Sequence, residues 1–129
     1  GTFLPIEVEN VEEHVMEEEH FTLGEETARR VNAARRVVAV GTTSTRVLES
    51  VADSEGKIRA ASGTTRLYLY PGIPFRRVDA LLTNFHLPKS SLLLLVCAFA
   101  GREKILEAYR VAIENRFRFY SYGDCMLIL

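Results

Sequence analysis

The stretch Val37-Val38-Ala39-Val40-Gly41-Thr42-Thr43-Ser44-Thr45-Arg46 decides the fold class. Val37 to Val40 is a short apolar run rich in β-branched residues, the pattern of a strand buried on both faces in a parallel sheet. Gly41 breaks the run, and Thr42, Thr43 and Ser44 supply hydroxyls that can cap a helix over Thr45 to Ala52. Just upstream, Thr22-Leu23-Gly24-Glu25 matches a capping box, in which a Thr hydroxyl and a Glu carboxylate satisfy free amides. It predicts a helix from Glu25 to Arg36 with Ala28, Val31 and Ala34 or Arg35 inward. Helix, strand, polar turn and helix together predict an α/β fold, a layered α/β/α sandwich with a mostly parallel sheet.

Further along, Leu67-Tyr68-Leu69-Tyr70 reads as a strand stopped by Pro71-Gly72, with turn-rich sequence around Ser54 and Ser62-Gly63-Thr64 before it. Val78 to Asn84 is a second buried strand. Pro88 and Ser90-Ser91 then start a helix whose run Leu92 to Ala100 is apolar all round and so expected to be buried on every side. Glu103 to Arg116 is amphipathic, with Ile105, Leu106, Tyr109, Ala112 and Ile113 on its apolar face. Phe117 to Leu129 reads as two short strand-like pieces around Ser121-Tyr122-Gly123-Asp124. Before the first helix, Phe3 to Val8 is strand-like and Glu9 to His20 is a loop or short exposed helix.

The 129 residues are 47% hydrophobic and 26% charged, enough for one domain with a real core. The nine-residue run Leu92 to Ala100 is too short to cross a bilayer, where about 20 are needed. Cys97 and Cys125 read as buried thiols rather than a disulfide framework. A soluble cytoplasmic protein without membrane contact is expected. Residues 1–26 carry nine Glu and no Lys or Arg, whereas the rest carries all sixteen basic residues. Pairing of acidic and basic segments within the fold is the plain account, and an anionic partner for the basic part is the other.

Glycine-rich phosphate loops ending in Gly-Lys-Ser/Thr and Gly-x-Gly-x-x-Gly turns are absent, and three His with two distant Cys give no zinc spacing. His14 and His20 around Glu17-Glu18-Glu19 read as a solvated acidic face. Gly41 to Arg46 is the first candidate site, since ligands favour the carboxyl edge of open α/β sheets and Arg46 offers a fork of donors to a carboxylate or phosphate. Helix capping plus a surface Arg is its alternative. A second candidate runs from Asp79 through Thr83-Asn84-Phe85-His86 to Lys89-Ser90-Ser91, where His86 could act as base or acid. The third is Ser121-Tyr122-Gly123-Asp124, with Asp124 either a turn residue or a buried acid of raised pKa.

Four blocks carry a resemblance: Gly41-Thr42-Thr43-Ser44 with Arg46 and Leu48-Glu49, Asp79 through Ser90 including Thr83-Asn84-Phe85-His86-Leu87-Pro88-Lys89-Ser90, Phe99 to Glu103, and Arg118 to Asp124. Together they closely resemble the S-adenosylmethionine:tRNA ribosyltransferase-isomerase family of queuosine biosynthesis, over essentially the whole chain. Members often carry Met-His-Ser-Glu where this chain has Met16-Glu17-Glu18-Glu19, so only Glu19 can inherit a role there. Cys125 stands where Ala is usual, and the link from Arg36 to Val37 is shorter than in most members.

The resemblance implies transfer of the ribosyl part of S-adenosylmethionine to the aminomethyl group of a 7-deazaguanine at the anticodon wobble position, giving epoxyqueuosine. The sulfonium acidifies the C5′ hydrogens, so a base can form an ylide that opens the ribose. The substrate amine then adds, adenine leaves from the opened ribose, and ring closure onto the freed aldehyde releases methionine. No cofactor or metal is implied, since S-adenosylmethionine is a substrate. Within that chemistry Thr42, Thr43 and Ser44 would hold ribose or methionine, with Lys89 and Ser121 as further substrate contacts, and Arg46 would face the carboxylate. Asn84, His86 and Asp124 are candidates for base or orienter, and Arg76, Arg77, Arg116 and Arg118 for tRNA phosphates. A non-catalytic α/β module that binds a small anionic ligand or tRNA is the rival reading.

The family's chain begins well before Gly1 and includes an inserted β-barrel domain. The chain is therefore expected to be part of a larger α/β domain, inactive alone, with an uncovered apolar face and a tendency to self-associate.

Overall fold

The computed structural model describes residues 10–129. The expected strand Phe3 to Val8 lies outside the described residues. A 3₁₀ turn at Val11–Glu13 precedes β1 (Glu19–Leu23), α1 (Glu25–Ala33), β2 (Val38–Val40), α2 (Thr42–Val51) and β3 (Ala61–Thr65). β4 (Ala80–Asn84), α3 (Ser91–Ala100), α4 (Arg102–Glu114) and β5 (Cys125–Ile128) complete the order.

The class is α/β, but the sheet is not mostly parallel. β2 and β4 pair in parallel, β4 and β5 antiparallel, and β1 and β3 form a separate antiparallel pair. Connectivity explains the mixture. One helix, α2, lies between β2 and β4, so the chain crosses back once and the strands run alike. Two helices, α3 and α4, lie between β4 and β5. They bring the chain back to the carboxyl end of β4, where the Tyr120 amide bonds the Phe85 carbonyl, and β5 runs the other way from there.

β4 is the central strand, and Ala80 and Leu81 are fully buried. Ala39, Leu81 and Met126 share one face and pack with Leu95, Val96, Ile105 and Tyr109 of α3 and α4. The other face bears Val38, Val40 and Leu127 at 49, 65 and 57% exposure. β2 is therefore buried on one face only, and the third layer of the expected sandwich has no counterpart among the described residues. An uncovered apolar face was expected, and this is one.

A second cluster joins Leu23, Ala28, Ala52 and Ile58 where α1 and α2 meet. Asn32 ties it by bonding both the carbonyl and the amide of Ile58, at 2.7 and 2.9 Å. The helices differ from expectation at their ends. α1 is capped by Gly24, with no side-chain bond, because Thr22 is drawn into β1, and it stops at Ala33 rather than Arg36. α2 begins at Thr42, three residues earlier than the hydroxyl run suggests. α3 has no exposed residue, yet only Ser91, Leu95, Val96 and Cys97 are fully buried. On α4, Ile105, Tyr109 and Ala112 face the core as expected, while Leu106 and Ile113 are exposed.

Leu67 to Tyr70 alternates as a strand should, with Leu67 and Leu69 inward, but pairs with no strand. β3 instead forms over Ala61–Thr65, where the small and polar residues read as a turn. Of the C-terminal pieces only Cys125–Ile128 is a strand, and Cys125 is exposed rather than buried. None of the described helices is long and apolar enough to cross a membrane.

Candidate active site

The carboxyl end of β4 gathers residues from three parts of the sequence. On one side the amide of Gly41 donates to the carbonyl of Leu82 at 2.8 Å, so the start of α2 sits beside the end of β4. Asn84 and His86 occupy the middle. On the other side Asn84 pairs in register with Cys125, and the amide of Tyr120 donates to the carbonyl of Phe85 at 2.9 Å. The turn holding Ser121 and Asp124 therefore flanks the same edge. Parts of all three candidate stretches named from the sequence converge there. Asp79, which opens the second, lies instead at the amino end of β4, where it accepts from the Val37 amide at 2.7 Å.

Their side chains differ in availability. Gly41, at φ +89°, turns the chain into α2 without any side-chain cap, so the first amides of that helix keep their positive end open. Thr43 and Ser44 are exposed, whereas Thr42 is buried and Thr45 points inward to donate to the Gly41 carbonyl at 3.0 Å. Arg46 is buried. Its Nη1 donates to Glu19 at 2.7 Å, its Nε to the Leu67 carbonyl at 2.9 Å, and its Nη2 reaches the Glu17 carbonyl at 3.5 Å. Burial pulls its pKa down and Glu19 opposes that shift. A ligand carboxylate coming to Arg46 would meet a guanidinium that is already paired. Glu19 also accepts from Thr43 at 3.2 Å, so one buried carboxylate joins β1 to the first turn of α2. The acidic segment is thus not simply a solvated face.

His86 is buried at the end of β4. Its Nε2 lies 3.0 Å from the Thr83 hydroxyl, and its amide donates to the Tyr109 hydroxyl at 2.7 Å. Burial lowers the imidazole pKa to about 4 and pushes the Tyr109 phenol up to about 12. His86 is therefore neutral at neutral pH, with a weakened affinity for protons. Asp124 does not fit a buried acid of raised pKa. Its carboxylate accepts from the Arg118 amide at 2.5 Å and from the Arg118 guanidinium at 3.3 Å, and these bonds hold its pKa below the usual range. Asn84, Lys89 and Ser121 are exposed along the same edge.

The four arginines do not form one patch. Arg76 and Arg77 precede β4 at its amino end, whereas Arg116 and Arg118 flank its carboxyl end. Arg77 donates to the Val31 and Ala34 carbonyls, capping α1 with its side chain. Arg76, Arg116 and Arg118 are exposed, and Arg118 is paired with Asp124.

Two acids that the resemblance touched without giving them a role turn out to be buried anchors. Glu19 is one. Glu49 is the other: its buried carboxylate accepts from the amides of Arg76, Arg77 and Val78 at 2.6, 3.0 and 2.8 Å, fixing the chain as it enters β4. A Leu-Glu pair late in an amphipathic helix carries no signal that its acid turns inward. No group of three or more His, Cys, Asp or Glu that could hold a metal occurs among the described residues.

A family model described as queuosine biosynthesis protein matches residues 1–128. The chain is 63% identical over its whole length to a S-adenosylmethionine:tRNA ribosyltransferase-isomerase of Syntrophus aciditrophicus, of which it covers 36%. It is 58% identical, again over its whole length, to the protein of the same name from Moorella thermoacetica, covering 39%. A crystal structure of S-adenosylmethionine tRNA ribosyltransferase from Thermotoga maritima superposes on 85% of this chain and 40% of its own, with a TM-score of 0.80 and 48% identity. The chain thus spans well under half the length of these relatives, and it belongs to the queuosine biosynthesis protein family.

Proposed function

We propose that this chain supplies part of the active site of an S-adenosylmethionine:tRNA ribosyltransferase-isomerase, in a protein of its relatives' length. One observation carries the reading: the Thr43–Ser44 turn, Asn84 with His86, and the Ser121–Asp124 turn meet at one edge of the sheet. Such an edge is where ligands of open α/β folds bind.

The exposed hydroxyls of Thr43 and Ser44 bind ribose or methionine. The uncapped amides at the start of α2 receive the methionine carboxylate, a task the sequence alone would give to Arg46. Arg46 acts through Glu19, which holds Thr43 in place. Thr42, Lys89 and Ser121 complete the substrate contacts. His86 takes a C5′ proton from the sulfonium substrate. Its low pKa keeps it unprotonated at rest but makes it a weak base, so the acidity that the sulfonium confers on C5′ carries the step. Asn84 orients the substrate beside it. Asp124, tied to Arg118, orients rather than abstracts.

Exchange of the C5′ hydrogens of labelled S-adenosylmethionine, followed in the full-length protein, tests this. His86→Ala is expected to slow exchange by about 10²–10⁴-fold with both substrates still bound, and Asp124→Ala by much less. Exchange at the parent rate in His86→Ala would remove His86 as the base. A parent protein that binds S-adenosylmethionine and tRNA but never exchanges the hydrogen would favour a non-catalytic binding module.

A further inference from the structure

The turn Tyr120-Ser121-Tyr122-Gly123 holds two aromatic rings out from the site edge, and the chemistry above gives them no task. Tyr122 is 71% exposed and Tyr120 is 40% exposed. Their ring centroids lie 6.4 Å apart with planes at 62°, so each ring presents its own face and the pair does not close into a sandwich. Large exposed aromatics side by side are unusual unless something covers them.

The turn is built to keep them outward. Phe119, just before it, stacks on Phe85 at 5.0 Å and 17°, which anchors the turn to the core. The Tyr120 amide donates to the Phe85 carbonyl, and Arg118 grips Asp124 across the base of the turn. Tyr120 itself sits at φ +63°, a left-handed conformation that an aromatic residue keeps only where its surroundings enforce it. Among the described residues just two other non-glycine residues share that conformation, Lys89 at φ 54° and Arg116 at φ 57°. Lys89 follows His86 after the end of β4 and Arg116 follows α4. Both are exposed cations, and Arg118 adds a third.

Exposed aromatic faces interleaved with cations, beside a site that must reach one base of an RNA loop, match the way proteins hold unpaired nucleotides. Bases stack on the rings, and Arg and Lys meet the phosphates. We infer that Tyr120 and Tyr122 form a stacking platform for unpaired RNA bases next to the reacting base. The inference rests on the transferase reading above and adds to it the residues that select single-stranded over paired RNA.

The test uses the full-length protein and two RNAs: an anticodon stem-loop, and a blunt duplex of the same length. Tyr122→Ala is expected to weaken binding of the stem-loop about tenfold or more and to leave duplex binding unchanged. Tyr122→Phe keeps the ring and should bind like the parent. With 2-aminopurine beside the target base, the parent and Tyr122→Phe should quench its emission, and Tyr122→Ala should not. Equal binding by Tyr122→Ala, or equal losses for Phe and Ala, overturns the platform while the transferase reading stands. So does a Tyr122→Ala protein that is less stable yet binds RNA normally, since the rings would then pack against the rest of the protein. A parent that binds neither RNA overturns the transferase reading and the platform with it.

Discussion

Arg46 Nη1 lies 2.7 Å from Glu19 Oε2, with the two side chains at 3 and 8% exposure. This contact spans 27 residues and joins the acidic leading segment to the turn that opens α2. Two buried charges stabilise little as a pair, because desolvation offsets most of their attraction, but either one left alone is costly. Glu19→Ala should therefore lower the unfolding free energy by about 3–5 kcal/mol. Glu19→Leu combined with Arg46→Met should recover most of that loss. Urea unfolding of Glu19→Ala and of the double variant checks this, and a loss below about 1 kcal/mol in Glu19→Ala would show that the pair is not buried in solution.

Glu49 and Gly56 hold the same stretch of chain from two sides. Glu49 binds three successive amides at residues 76–78, and Gly56, at φ +77°, lies so close that an added Cβ would stand 2.4 Å from the Arg76 carbonyl oxygen. Glu49→Ala strands buried donors and should cost about 3 kcal/mol. Gly56→Ala should cost about 1–3 kcal/mol through backbone strain and displacement of Arg76. Because both act on one segment, the double variant should lose less than the sum of the two. Full additivity would mean that the segment is not their shared target.

What could be read from the sequence was what short-range chemistry fixes. Val37 to Val40 announces a strand by its β-branched content and Val78 to Asn84 by its apolar middle. Ser90 caps α3 as its place before the apolar run suggests, accepting from the Leu93 amide at 3.1 Å. Long-range pairing could not be read. Leu67 to Tyr70 has the alternation of a strand but no neighbour to bond, while Ser62-Gly63-Thr64 becomes one because β1 runs beside it. β5 runs antiparallel because α3 and α4 make two passes, a fact of topology and not of composition. The site was legible as three polar stretches. The inward turn of Arg46 was not, because its partner Glu19 lies in a run of acids that looks alike from Glu17 onward.

The arginines divide into structural and exposed groups, and RNA binding should follow that division. Arg77→Ala removes the cap on the last carbonyls of α1 and should lower stability by about 0.5–2 kcal/mol. Arg116→Ala should leave stability unchanged and reduce the salt dependence of RNA binding by about one phosphate contact. Arg76→Ala, at the far end of β4, serves as the comparison. Filter binding across a salt series separates them. An equal drop in slope for Arg76 and Arg116 would place RNA across both ends of the sheet.

His86 ties the site to acid stability. Burial holds its folded pKa near 4, against about 6.5 in the unfolded chain. Between those values the unfolded state binds a proton that the folded state refuses, so stability rises with pH through the window and falls as pH drops from about 6.5 toward 4. Above about 6.5 the penalty is absent. Over the full window it amounts to roughly 3 kcal/mol, an upper figure for a side chain that can let water in as it charges. The Thr83 hydroxyl offers only a neutral partner at 3.0 Å and does little to hold the proton. His86→Gln keeps a polar group beside Thr83 without the titration, and should flatten the dependence of unfolding free energy on pH between 4 and 6.5. Denaturant unfolding of the parent and His86→Gln at half-unit pH steps measures the difference directly. If the two curves run parallel across that window, the imidazole is charged or solvated in the folded protein, and its assignment as the resting base falls with it.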